Sequence, residues 1–151
     1  MHIYIISDQS KYEYSDLIKS MKSLDITLLY TEKRSGPGPA RNLGISKGTS
    51  PYISFLDGDD IYQDDILKYC NDKYDFISTR ITLLSDDYNK TIYEYAPMGG
   101  VHGLIISRSF LNKIQLSFPN VKYNMEDTLF RLILFSASTN KLTHSSSFYL
   151  Y

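Results

Sequence analysis

Tryptophan is absent from this 151-residue chain, and cysteine occurs once, at Cys70. A single thiol excludes an internal disulfide and fits a reducing compartment. Net charge is also close to absent, with a formal value of −1. That removes any general electrostatic case for nucleic acid or an anionic membrane as partner. No apolar run approaches the ~20 residues that span a bilayer. The N-terminal run Met-His-Ile-Tyr-Ile-Ile-Ser-Asp lacks a basic region, so it reads as a first strand rather than a signal peptide. There is no internal repeat, low-complexity segment or linker. The expectation is a cytoplasmic protein with one domain over residues 1–151, able to bury roughly two-thirds of its unfolded surface. Against these absences stand fourteen tyrosines, which read as half-buried packing groups with a polar tip.

Apolar patterning places strands at residues 2–7, 26–30 and 52–57, and later at 76–84, 91–95, 104–107 and 147–151. Helices are expected at 14–22, 64–71 and 124–135. A further short helix opens at Pro39, a favoured first helical residue, and ends near Gly48. Strands alternating with helices indicate an α/β protein with a parallel sheet covered on both faces. Such sheets bind ligands at the carboxyl ends of their strands. Asp8 and Asp57 both follow a strand, so the two acidic loops are expected to meet.

The densest chemistry lies in Asp57-Gly58-Asp59-Asp60, directly after the apolar run 51–56. Carboxylates at a strand end are costly unless they are paired or bind a cation. Two carboxylates one residue apart can share a hard divalent metal that also holds substrate phosphates. An EF-hand is excluded, because its sixth and twelfth positions from Asp57 hold Tyr62 and Lys68. Asp64 and Asp65 suit capping of the helix that follows. Asp57 and Asp59 lie too far upstream for that role, which leaves a metal–diphosphate site. The segment from Gly36 to Gly44, Gly-Pro-Gly-Pro-Ala-Arg-Asn-Leu-Gly, is neither a Walker A loop nor a dinucleotide fingerprint.

Taken in order, Gly-Pro-Gly-x-Ala-Arg-Asn-x-Gly followed by Tyr-Ile-x-Phe-Leu-Asp-x-Asp-Asp strongly resembles family 2 glycosyltransferases of the GT-A fold. That fold has a mixed, mostly parallel sheet flanked by helices. The resemblance implies that Asp57-Gly58-Asp59 is the DXD element, with Asp57 near the ribose and metal and Asp59 a ligand of Mn²⁺ or Mg²⁺. It places Arg41 and Asn42 beside the nucleotide and Asp8 near the nucleobase. It makes Asp127, or else Glu126, the catalytic base in Asn124-Met-Glu-Asp127. The implied activity is metal-dependent, inverting hexosyl transfer from a nucleoside-diphosphate sugar, a UDP-sugar foremost, to an acceptor hydroxyl.

The family opens with two βα units, whereas one precedes Gly36 here. The chain thus resembles a reduced version lacking one N-terminal βα unit, and a homo-oligomer could cover the edge left open. Asn124 and Asp127 also fit a variant capping box. His144 is the better histidine candidate for a third metal ligand. His102 is the second, in the glycine-rich run 98–103, which suits either an acceptor cleft or a turn. Two other classes remain: a nucleotidyltransferase of related fold, and a non-catalytic sugar-nucleotide-binding module. The first usually has a glycine-rich loop after its first strand, and Ser7-Asp-Gln-Ser-Lys11 has no glycine.

Overall fold

The computed structural model describes residues 1–62, 65–85, 91–95, 99–121 and 125–150, with backbone alone for 91–95 and 146–148. Asp64, Met98, Asn124 and Tyr151 lie outside the described residues, so the expectations placed on them are not addressed. The chain forms two compact units: Met1–Ser50 with Ser117–Glu126, and Pro51–Leu116 with Asp127–Tyr151.

In the first unit, β1 (His2–Ser7) pairs in parallel with β2 (Asp25–Tyr30), in register from His2 opposite Asp25 to Ser7 opposite Tyr30. A parallel pair needs a crossover, and α1 (Ser15–Ser20) lies within it. Helix α2 (Pro37–Lys47) starts two residues ahead of the expected Pro39. Gly36 makes the turn with φ +87°, which favours glycine, and Pro37 takes the first helical position. The missing N–H of Pro39 then falls in the first turn, where no intrahelical acceptor exists. A Cβ on Gly44 would lie 3.6 Å from Ile6, so α2 rests on β1 at ordinary contact distance.

The second unit holds a six-stranded sheet. Its strands are β3 (Tyr52–Ser54), β4 (Ile61–Tyr62), β5 (Phe76–Leu84), β6 (Thr91–Tyr95), β7 (Leu104–Ser107) and β8 (Lys141–Leu150). The order is β3-β7-β5-β8-β4, with β6 also on β5. The sheet is mixed, as the resemblance to the GT-A fold implies; the parallel direction read from strand–helix alternation holds in this sheet for β5–β8, while the other four pairings are antiparallel. Connection length explains the difference. The link from Leu84 to Thr91 is too short for a parallel crossover, while β5 and β8 have α3 (Arg108–Ile114) and α4 (Glu126–Ala137) between them. Strand β5 is central and buried on both faces over Phe76–Thr79; Ser78, a small polar residue there, accepts a hydrogen bond from Arg131. The core gathers Ile77, Ile81, Ile105 and Tyr149.

Three element boundaries also differ from the sequence reading. The expected helix over 64–71 is a single 3₁₀ turn, Ile66–Tyr69, capped by Asp65, whose carboxylate accepts the Leu67 N–H at 2.9 Å. Regular β3 ends at Ser54 rather than 57, because side chains take over its ladder: Ser54 Oγ donates to Leu104 O (2.6 Å) and Tyr62 Oη to Phe55 O (2.9 Å). Strand β8 begins at Lys141, well before 147. Its polar first half is held by parallel pairing of Lys141–Thr143 with Phe76–Ser78.

Candidate active site

In the first unit, Asp8 closes the end of β1. Its carboxylate accepts from Thr31 Oγ1 (2.6 Å), from the Ser35 N–H (3.0 Å) and Oγ (3.2 Å), and from the Gly36 N–H (2.7 Å). Burial pushes this carboxyl up, but the four donors outweigh it and hold the group below the usual carboxylate range. Asp8 therefore ties the ends of β1 and β2 to the loop that enters α2. Arg41 and Asn42 project from α2 onto Glu126 and Phe118. Arg41 Nη1 pairs with Glu126 Oε1 at 3.1 Å, with side-chain exposures of 11% and 10%. Asn42 exchanges two hydrogen bonds with the Phe118 backbone, donating to its O (2.9 Å) and accepting from its N–H (2.8 Å). Gly38 is required beneath them, since a Cβ there would meet Glu126 Cγ at 2.9 Å. A cavity of about 150 Å³ opens beside this contact, lined by Gly36, Pro37, Pro39, Asn120 and Glu126.

In the second unit, Asp57–Asp60 form a tight turn, with the Asp60 N–H donating to Asp57 O at 3.2 Å. Asp57, Asp60 and His102 each present a ligand atom within 4.8 Å of the others. His102 Nε2 is 3.3 Å from Asp57 Oδ2 and 4.0 Å from Asp60 Oδ2. Asp60 is the buried member. Burial raises its pKa against the opposing hydrogen bond from Tyr149 Oη at 2.5 Å. The Tyr149 phenol is fully buried and its pKa is driven up by that burial and by Asp60. Asp59 is exposed and lies outside this cluster, as does Gly58. His144 is placed elsewhere in the unit. Its ring meets Tyr69 edge-on at 4.9 Å and lines a separate cavity of about 200 Å³ with Lys68, Asn71 and Leu142.

Asp127 stands in the first turn of α4. Its Oδ1 accepts the Thr128 N–H at 2.6 Å. Its Oδ2 faces Gly100, 3.5 Å from where a Cβ would sit, and His102 Nδ1 would be 2.8 Å from the same point. Asp127 and His102 therefore flank one glycine. The role of Tyr149 was not legible in the sequence: the residue was visible only as part of the expected strand 147–151. Asp60 was visible as the last residue of the acidic run, and its burial is what sets it apart from Asp59.

The family model "Glycosyl transferase family 2" matches residues 1–139, and the chain belongs to this family. An uncharacterized glycosyltransferase from Rickettsia bellii is 42% identical over 60 residues, covering 40% of this chain and 9% of that protein. Among solved structures, Staphylococcus aureus TarS 1–349 in complex with UDP superposes with a TM-score of 0.82 at 15% identity. It covers 99% of this chain and 50% of the TarS chain. Mannosyltransferase PcManGT from Pyrobaculum calidifontis, in complex with GDP-Man and Mn²⁺, gives 0.70 at 14% identity over 99% of this chain and 47% of its own. The fold is thus that of GT-A glycosyltransferases. The chain spans about half the length of these solved structures and a small part of the Rickettsia relative. Among the described residues no helix is long and apolar enough to cross a membrane.

Proposed function

We propose that the chain transfers a hexosyl group from a nucleoside-diphosphate sugar, a UDP-sugar foremost, to an acceptor hydroxyl with inversion, as a single GT-A domain. The observation that carries the reading is the Asp57–Asp60–His102 cluster beside Asp127. Two carboxylates and an imidazole suit a divalent metal, and the mixed oxygen–nitrogen set suits Mn²⁺ better than Mg²⁺. Asp57, Asp60 and His102 would hold that ion, with Asp59 able to reach it through water. A divalent metal bound there supplies Lewis-acid neutralisation of a diphosphate leaving group. Asp127 accepts the acceptor proton, because it sits on a rigid helix with one oxygen engaged by Thr128 and the other facing Gly100. In the first unit, Asp8 holds the loop that enters α2.

The test is a melting-temperature panel of UDP, GDP and their sugars, with and without Mn²⁺, followed by turnover with the donor that stabilises most. Metal-dependent stabilisation by a nucleotide, lost in His102→Ala, is expected. Sugar release or transfer separates the reading from a binding module, and pyrophosphate formation from a sugar phosphate would indicate a nucleotidyltransferase. Absence of any nucleotide response in the parent would refute it.

A further inference from the structure

We infer that Arg131 is a positioning residue for the site, setting the Gly99–Gly103 turn that carries His102; this rests on the proposed function. Arg131 lies on α4 one turn after Asp127 and is 4% exposed. Its Nη1 donates to Gly100 O at 3.2 Å and its Nη2 to Ser78 Oγ on β5 at 2.9 Å. Its guanidinium lies over the Phe135 ring, 4.7 Å from the centroid. No carboxylate lies within ion-pair distance of it among the described residues. Burial alone lowers its pKa to about 10.

A buried guanidinium without a carboxylate is a poor way to stabilise a fold, since an apolar side chain of similar size would serve better. What Arg131 provides is geometric. Its planar fork fixes two acceptors at once, and one of them is the carbonyl of the residue flanked by Asp127 and His102. Gly100 has φ +75° and Gly103 φ +67°, backbone conformations that favour glycine; the Thr79 N–H already ties Gly103 O to β5 at 2.9 Å, and Arg131 adds a second tie at Gly100. The fork anchors the turn to β5, the central strand of the sheet.

The experiment compares the parent with Arg131→Met. The metal-free variant is expected to melt at or above the parent temperature. Its Mn²⁺ affinity, measured by titration in the presence of UDP, is expected to fall ~10–100-fold, as for other groups that orient metal ligands. Turnover is expected to fall in kcat rather than in donor KM. Should Arg131→Met fail to fold, Arg131→Lys keeps the charge without the fork, and the same loss of Mn²⁺ affinity is expected in a folded protein. A folded Met or Lys variant that binds Mn²⁺ like the parent overturns the inference and leaves the proposed function standing. A parent that takes up no Mn²⁺ overturns both.

Discussion

Arg41 and Glu126 form an ion pair that is almost wholly withdrawn from water. Removing one partner of such a pair leaves the other charge in a poor dielectric, at about 3–5 kcal/mol, whereas removing both is milder. Arg41→Ala is therefore expected to lower the urea midpoint sharply, and Arg41→Ala with Glu126→Ala to recover part of the loss. Additive losses would refute the coupling. Asp8 gives a pH signature. Its folded pKa lies below its unfolded value, so its stabilising effect is present above the ordinary carboxylate range. That effect is lost as pH falls through the lowered folded value. Asp8→Asn is expected to cost on the order of 1 kcal/mol at pH 7 and to flatten the acid limb of a stability–pH curve, as read by denaturation at stepped pH. Arg41 and Asn42 were expected beside the nucleotide. A sequence displays their helix position but not their partners Glu126 and Phe118, which lie 85 and 76 positions away.

Helix α4 presents Asp127 at its first turn and buries Phe130 and Leu134 below it. Asp127→Asn keeps shape and local hydrogen bonding. It is expected to leave melting within about 1 kcal/mol of the parent and to cut transfer by ~10²–10⁴-fold. A Tm scan and a donor-turnover assay check the two halves; a variant that turns over normally would rule Asp127 out as base. Most elements were legible because their periodicity is local: β5, β6 and β7 occupy the expected residues. Strand direction was not legible, because it depends on which strands become neighbours. The placement of His102 was not legible for the same reason, and His144, the histidine preferred from the sequence, lies elsewhere in the unit. His102 and Asp57 are 45 positions apart, and only the β7–β5 and β5–β8 pairings bring the turn at 99–103 and Tyr149 onto one acidic loop.

At the scale of the molecule, the two units differ in how much they bury. The second has a strand with both faces enclosed, while β1 and β2 are half-buried along most of their length. Local opening follows burial. Amides of Phe76–Thr82 are expected to exchange slowest by hydrogen–deuterium mass spectrometry, and those of β1 and β2 through openings of lower free energy. Equal protection in both would contradict this.

The two left-handed glycines around His102 imply two separate selection pressures. An alanine at either must enter the left-handed region, at about 1–2 kcal/mol. What its methyl meets then differs. At Gly103 it meets Oγ1 of the fully buried Thr79 at 2.7 Å, and at Gly100 it meets the imidazole of His102 at 2.8 Å. In a randomised library over this turn, glycine at 103 is therefore retained when survivors are chosen for soluble protein. Glycine at 100 becomes fixed only when they are chosen for turnover.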